Sequence, residues 1–206
     1  PLQQVGFDSP RIHFELMGGP GLAVFDGALV SDSIGGSFAQ AGITGTFWLK
    51  QNSEVAPAEA AAALPYDAEE VQFTNGDVTL AGTLTLPRAP GSHPAVVLIS
   101  GSGPQNRDEE VFGFDPFRRI ADHLTRNGIA VLRYDDRGVG GSTGDRVSTT
   151  SKDFAGDVLA GLRYLRQRSE IDSERVGLIG HSEGGLIAPI IAARNSDVAY
   201  IVLMAG

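Results

Sequence analysis

The spacing of apolar and polar residues divides the chain into three parts. In residues 1–50, apolar and aromatic residues alternate with small or polar ones, as in Arg11–Leu16 and Thr44–Leu49, which predicts strands. Glycine clusters at 18–21 and 35–36 predict the turns between them. We therefore predict a β-meander in this part, with a ligand-binding β-surface as the alternative.

The pattern changes after residue 50. Residues 51–66 are rich in alanine and contain two bracketing prolines, which is typical of a linker. From Asp67 onwards strand patterns alternate with helical ones, which indicates an α/β fold. A hairpin predicted at 71–86 is followed by a continuous apolar run at 95–100, as expected of a parallel strand that is buried on both faces.

Helices and strands continue to alternate after this run. Asp115 is expected to cap a helix that ends at Asn127–Gly128. A second helix is predicted at about 153–168, because Thr150 and Asp153 have the spacing of a capping box. The remaining predicted elements are a third helix at 186–193 and strands at 129–132, 176–179 and 200–204.

Composition and charge narrow the range of functions. The 206 residues include 16 Lys and Arg against 25 Asp and Glu, a formal net charge of −9, which argues against a nucleic-acid partner because phosphates need a basic face. No window holds about 18 uninterrupted apolar residues, so no membrane-spanning helix is expected. There is no cysteine, which excludes disulfides and a cysteine nucleophile.

The same residues give no reason to expect a metal or a cofactor. The four histidines lack the spacing of a metal site. The glycine-rich stretch 138–144 follows a predicted strand, but its third glycine comes one residue late for a dinucleotide fingerprint and no helix follows at once.

The motif G-x-S-x-G at 180–184 lies between a predicted strand and a predicted helix. A serine nucleophile needs such a sharp turn, and Gly180 and Gly184 allow neighbouring backbone to approach. The turn would hold the Ser182 hydroxyl above the carboxyl end of the sheet, with the N–H groups of the helix directed at the group it attacks. Ser182 is therefore the candidate nucleophile, and an ordinary tight turn is the alternative.

Acyl transfer also requires two N–H donors for the developing oxyanion. We predict one from Glu183, which follows the nucleophile, and one from Ser102, which lies between Gly101 and Gly103 after the first buried strand. A plain turn after that strand is the alternative. The charged run 107–110 is predicted to be a solvated loop, with bracing of the oxyanion loop by its first two residues, Arg107 and Asp108, as the alternative.

Four ordered segments resemble bacterial serine esterases of the α/β-hydrolase superfamily, in its serine-aminopeptidase-like branch: TLAGTLTLP at 79–87, ISGSGPQNRDE at 99–109, LRYDDRGVGGSTG at 132–144 and LIGHSEGG at 178–185. The resemblance implies that 67–206 form the N-terminal portion of that fold, up to its sixth strand, and that 1–50 end a preceding β-rich accessory domain. It also implies Ser182 as nucleophile and Ser102 and Glu183 as oxyanion donors. The implied supporting residues are Gly101, Gly103, Asp136, Arg137, Gly138, Gly180, His181 and Gly184.

In this superfamily the acid and the histidine of the triad follow the sixth strand. No histidine of this chain has that place, and the chain stops after the apolar run at 200–204. We therefore expect both ends to be cuts in a longer protein, with the acid and the histidine in a C-terminal part beyond residue 206, continuous or in a separate chain. The expected activity is cleavage of a small-molecule ester through an acyl-enzyme. A peptidase, an acyl-CoA thioesterase and a non-catalytic binding module of the same fold are the alternatives.

Overall fold

A computed structural model of the chain describes residues 2–18, 21–50, 64–111, 113–145 and 149–205. The chain divides into two compact units, 1–62 and 63–206. Residues 51–63 of the predicted linker lie outside the described residues, and its last residue, Tyr66, begins a strand.

The first unit is an antiparallel meander whose five strands are paired in chain order. Four phenylalanine rings on one face form its main apolar contact, with ring centroids 4.7–5.7 Å apart. These rings are Phe14, Phe25, Phe38 and Phe47. The strands are β1 (Leu2–Asp8), β2 (Arg11–Gly18), β3 (Gly21–Val30), β4 (Ser33–Gln40) and β5 (Ile43–Lys50).

One turn prediction in this unit is wrong. Gly35 and Gly36 lie inside β4, and the turn before that strand falls at Ser31, whose φ is 58°. Gly36 faces Phe47 in the strand pairing, and a Cβ on the neighbouring Gly27 would approach the Phe47 ring to 3.0 Å. Gly27 therefore leaves space for the Phe47 ring, whereas Gly36 allows close approach of the β3 backbone, since a Cβ on Gly36 would lie 2.1 Å from the Asp26 carbonyl oxygen. In the other glycine cluster, at 18–21, residues 19 and 20 lie outside the described residues.

The second unit is a six-stranded sheet with helices on both faces, so the α/β prediction is confirmed. Its strand order is β11-β10-β8-β9-β7-β6; β11, β10, β8 and β9 are parallel, and β7 is antiparallel to both its neighbours. The elements are β6 (Tyr66–Asn75), β7 (Val78–Pro87), β8 (His93–Ile99), α1 (Pro116–Arg126), β9 (Ala130–Tyr134), α2 (Ser151–Arg166), β10 (Ile171–His181), α3 (Glu183–Ala192) and β11 (Ile201–Met204).

Several element boundaries and one cap differ from the sequence prediction. Strand β10 begins at Ile171, five residues early, because a polar stretch whose pairing with β8 is irregular precedes its apolar part. Helix α3 begins at Glu183, directly after the nucleophile candidate. Asp115 is the N-cap residue of α1, but its carboxylate pairs with Arg118 and Arg119 and makes no cap hydrogen bond.

The core of this unit has two layers, one on each face of the sheet. Helices α2 and α3 pack on one face, where Val158, Leu162 and Leu165 of α2 are almost completely buried. Helix α1 covers the other face through Phe117 and Ala121. Loops that follow the parallel strands therefore meet at the carboxyl edge of a rigid sheet. In the part of the chain that the structure describes, no helix is both long and apolar enough to span a membrane.

Candidate active site

Ser182 is the single residue between the end of β10 and the start of α3. Its backbone has φ 50° and ψ −111°, a conformation that costs energy for a residue with a side chain. Two hydrogen bonds hold it there: the Ser182 N–H donates to the Met204 carbonyl on β11 at 2.9 Å, and the Gly185 N–H donates to the Ser182 carbonyl at 2.9 Å. Neighbouring elements therefore hold this strained turn on both sides.

The two glycines that flank Ser182 in the motif are required by close backbone contacts. A Cβ on Gly180 would lie 2.1 Å from the Gly184 carbonyl oxygen. A Cβ on Gly184 would lie 2.3 Å from the carbonyl oxygen of Ile99, at the end of β8. The first turn of α3 can therefore pack against the adjacent strand only because neither residue has a side chain.

The loop after β8 passes directly beside Ser182. A Cβ on Gly101 would come within 3.3 Å of the Ser182 Cβ and 3.2 Å of His181 Nδ1. Ser102 follows on the exposed side, and Gly103 continues the loop with φ 105°. Glu183 is the first residue of α3, so its N–H has no acceptor within the helix. The structure thus brings the loop of Ser102 next to Ser182, while the convergence of the Ser102 and Glu183 N–H groups on one point stays a prediction.

Asp136 ties both ends of this loop to the end of β9. Its carboxylate accepts a hydrogen bond from Ser100 Oγ at 2.7 Å and one from the Gln105 N–H at 3.2 Å. The Asp136 N–H in turn donates to the Gln105 carbonyl at 3.1 Å. Asp136 is buried and lines a small cleft together with Gly101 and Glu183. It therefore supports the loop at its base.

Arg137 and Gly138 form hydrogen bonds that hold the loop after β9. The Arg137 guanidinium donates to both oxygens of Asp157 on α2, at 2.6 and 2.8 Å, and this pairing raises the pKa of Arg137. Gly138 has φ 68° and donates its N–H to the Thr143 carbonyl at 3.1 Å. These two residues attach the loop after β9 to α2 and fold it on itself.

The charged run 107–110 is not the solvated loop that the sequence suggests. Arg107 donates to Asp135 at 2.9 Å and also pairs with Glu70. Burial raises the pKa of Asp135, but the hydrogen bonds from Arg107 and from the Gly141 N–H outweigh it and hold that pKa below its usual value. Asp108 pairs with Arg133 of β9. The first two residues of the run are therefore part of the packed structure.

Glu109 is the residue that sequence reasoning missed. It is only 3% exposed, and its Oε1 accepts the Gly101 N–H at 2.6 Å and faces His181 Nδ1 at 2.8 Å. A single buried carboxylate thus connects the loop after β8 with the residue before Ser182. Nothing in its local sequence distinguishes it from the exposed Glu110. The one indication of a role is that Glu109 ends the segment 99–109, which resembles bacterial serine esterases.

None of the described hydrogen bonds joins a histidine to Ser182. His181 faces Glu109 through Nδ1. His93 lies at the start of β8 and contacts the Ala89 carbonyl through Nε2 at 2.9 Å, while His123 lies on α1. The last histidine, His13, contacts Asp26 in the first unit.

The sequence is similar to a family model and to known hydrolases. A family model described as serine aminopeptidase, S33, matches residues 114–206. Esterase EstD of Thermotoga maritima is 36% identical over 143 residues, which cover 68% of this chain and 34% of EstD. The putative hydrolase YtaP of Bacillus subtilis is 30% identical over 128 residues, 54% of this chain and 43% of YtaP. The chain thus spans between a third and a half of the length of these two relatives.

Solved structures show the same fold. The esterase Pf2001 of Pyrococcus furiosus superposes with a TM-score of 0.54 at 28% identity, over 66% of this chain and 50% of that one. The α/β hydrolase GrgF from Penicillium superposes with a TM-score of 0.58 at 25% identity, over 66% of this chain and 45% of that one. The chain belongs to the α/β-hydrolase superfamily. We refer to residues 63–206 as the hydrolase unit from here on.

Proposed function

We propose that the hydrolase unit carries the nucleophile of a serine hydrolase that cleaves carboxylic esters. The observation that carries this proposal is the backbone of Ser182, held at φ 50° between β10 and α3 with the loop after β8 against its Cβ. A protein pays for such strain mainly where a side chain must be presented to a reactant. EstD and Pf2001, which are described as esterases, support the choice of an ester.

The reaction would proceed in two halves on Ser182. In the first, Oγ attacks the ester carbonyl carbon while a histidine takes its proton, and the oxyanion accepts hydrogen bonds from the Glu183 and Ser102 N–H groups. Collapse expels the alcohol, which receives the proton and leaves an acyl-serine. In the second half, the same base takes a proton from a water molecule that attacks the acyl carbon. The bond between this carbon and Oγ then breaks, Oγ receives the proton, and the carboxylic acid is released. We propose that this base and its acid partner lie outside these 206 residues, since none of the described hydrogen bonds joins a histidine to Ser182.

The test is steady-state kinetics on the intact protein with p-nitrophenyl butyrate. Ser182→Ala should lower kcat by at least about 10⁴-fold, because the nucleophile of such a triad carries most of the rate enhancement. Ser196→Ala is the matched control, since Ser196 is exposed in the loop after α3, and it should leave kcat unchanged. Retention of turnover in Ser182→Ala would contradict the proposal.

A peptidase is the second candidate, because the matching family model is described as a serine aminopeptidase. Aminoacyl p-nitroanilides distinguish the two reactions. Faster Ser182-dependent cleavage of the anilide than of the ester would favour the peptidase. Cleavage of neither substrate by the intact protein would favour a non-catalytic module of the same fold.

A further inference from the structure

One buried carboxylate of the hydrolase unit has no part in the chemistry described above. Glu109 accepts the Gly101 N–H at 2.6 Å and contacts His181 Nδ1 at 2.8 Å, both through the same oxygen, Oε1. A carboxylate only accepts hydrogen bonds, so this contact is a hydrogen bond in the tautomer of His181 that carries its proton on Nδ1. Charge-assisted hydrogen bonds of this kind are shorter and stronger than neutral ones.

The backbone around Glu109 directs this carboxylate inward. Its φ is 50°, a left-handed conformation that is unfavourable for a residue with a side chain. The turn is held by the Glu109 N–H, which donates to the Asn106 carbonyl at 2.9 Å. The Asn106 side-chain oxygen also accepts the N–H groups of Asp108 and Glu110, at 3.0 and 3.2 Å. Two residues with strained backbones, Glu109 and Ser182, thus both lie against Gly101.

Glu109 makes a connection that Asp136 does not. Asp136 holds residues 100 and 105, so it supports the loop at its base. Glu109 holds Gly101, one residue before the predicted donor Ser102, and it joins Gly101 to His181, one residue before Ser182. Without Glu109 the loop would keep its anchors at 100 and 105 and the hydrogen bond from Gln105 Nε2 to the Ser102 carbonyl at 3.1 Å, but no described hydrogen bond would link Gly101 to His181.

We propose that Glu109 is a positioning residue, which locks the loop of Ser102 to the turn of Ser182 through Gly101 and His181. It fixes the Gly101 backbone, so that the next N–H along the chain, that of Ser102, is presented to the oxyanion formed at Ser182. This inference rests on the proposed hydrolase function. It makes Glu109 act through the oxyanion donors and not through contact with the substrate.

The test compares transition-state and ground-state binding in the intact protein. Three variants are needed: Glu109→Ala removes both contacts, Glu109→Gln keeps an acceptor for the Gly101 N–H, and Glu110→Gln changes the exposed neighbour as a control. Each is assayed with p-nitrophenyl butyrate for kcat and KM. The Kd of an alkyl trifluoromethyl ketone, which adds to the serine as a tetrahedral oxyanion, is measured beside the Kd of the product, butyrate.

Glu109→Ala should lower kcat/KM by about 100-fold, the size expected when an oxyanion donor is misplaced. The ketone should lose affinity by a similar factor, while the KM and the Kd of butyrate change by less than about twofold, because only the tetrahedral state uses the donor. Glu109→Gln should retain about a tenth of the wild-type kcat/KM, and Glu110→Gln should match the wild type.

Two outcomes would overturn the inference alone, in a protein whose turnover still depends on Ser182. One is a kcat/KM of Glu109→Ala within twofold of wild type. The other is an equal loss of affinity for the ketone and for butyrate, which would indicate general structural support. If Glu109→Ala does not fold, the same comparison in Glu109→Gln decides. If the wild type shows no Ser182-dependent turnover, the proposed function and this inference fail together.

Discussion

The absence of a side chain at Gly101 lets the loop after β8 lie against Ser182. A Cβ there would meet three groups at once: Glu109 Oε1 at 3.1 Å, His181 Nδ1 at 3.2 Å and Ser182 Cβ at 3.3 Å. Each distance is tighter than ordinary van der Waals contact, so the loop must move by a few tenths of an ångström. We expect Gly101→Ala to lower kcat/KM by about 10- to 100-fold, because misplacement of a catalytic group by about 1 Å costs about 10²-fold.

A glycine with free space around it provides the control. At Gly35 in β4, an added Cβ would meet only the Phe47 carbonyl oxygen, at 3.9 Å. Gly35→Ala should therefore leave kcat/KM unchanged. Measurement of kcat/KM for both variants checks the prediction, and equal activity of Gly101→Ala and wild type would show that the loop accommodates the methyl group without effect on the site.

Residues of this site differ in how far the sequence could predict them. Ser182 stands in the motif G-x-S-x-G between a strand pattern and a helix pattern. A nucleophile on a sharp turn needs glycines at these two positions, so the place of Ser182 could be predicted. Glu109 stands in a polar run next to Glu110, and hydropathy gives both the same expectation of exposure. Its burial depends on a left-handed turn and on His181, 72 residues later, and neither can be derived from local spacing.

Among the elements, an ion pair joins the loop after β9 to helix α2. Asp157 of α2 is completely buried and accepts hydrogen bonds from Arg137 and from Asn75 Nδ2. Among the described hydrogen bonds of this buried carboxylate, Arg137→Ala would leave the one from the neutral Asn75 side chain. We expect a loss of about 3–5 kcal/mol in the free energy of unfolding, which is typical when one partner of a buried ion pair is removed. Chemical denaturation measures it.

An exposed ion pair in the same unit is the matched comparison. Arg175 and Asp172 of β10 pair at 2.6 Å near the surface, with 57% and 27% of their side-chain areas exposed. Arg175→Ala should change the free energy of unfolding by less than about 1 kcal/mol. Equal effects of Arg137→Ala and Arg175→Ala would contradict the structural role assigned to the buried pair.

Elements with a continuous apolar run were the easiest to predict. Residues 95–99 of the run at 95–100 lie in β8 and are all buried. The start of β10 does not follow from the pattern because residues 172–175 are polar and lie where the register with β8 is irregular, so the apolar run begins only at Val176. The turn predicted at Gly35 and Gly36 is wrong because spacing alone cannot distinguish a glycine that bends the chain from one that allows close backbone contact inside a sheet, as Gly36 does against the Asp26 carbonyl oxygen.

At the scale of the whole molecule, the proposed chemistry is assigned to residues of the hydrolase unit and to none of the first unit. Its sheet and its phenylalanine cluster are formed within residues 2–50, whereas Ser182, Gly101 and Glu109 all belong to the hydrolase unit. We expect deletion of residues 1–50 from the intact protein to leave kcat/KM for p-nitrophenyl butyrate within about tenfold, a barrier change of about 1.4 kcal/mol. A loss of several powers of ten in a folded deletion variant would show that the first unit forms part of the site.

Strand β11 marks where we propose that the rest of the hydrolase docks. It pairs with β10 on one side and has no partner on the other side among the described residues, and Val202 and Leu203 are about half exposed. An apolar edge of this kind favours addition of a further strand. We propose that a C-terminal part, continuous with this chain or separate, docks there and supplies the histidine and the acid.

The central claim is that Ser182 is the residue that becomes acylated. The most direct measurement is mass spectrometry of the intact protein after reaction with a fluorophosphonate, in which the activated serine oxygen displaces fluoride from phosphorus. We expect the added mass on the peptide that contains Ser182, and no labelling in Ser182→Ala. Labelling of Ser100 or Ser142 with Ser182 unmodified would contradict the account.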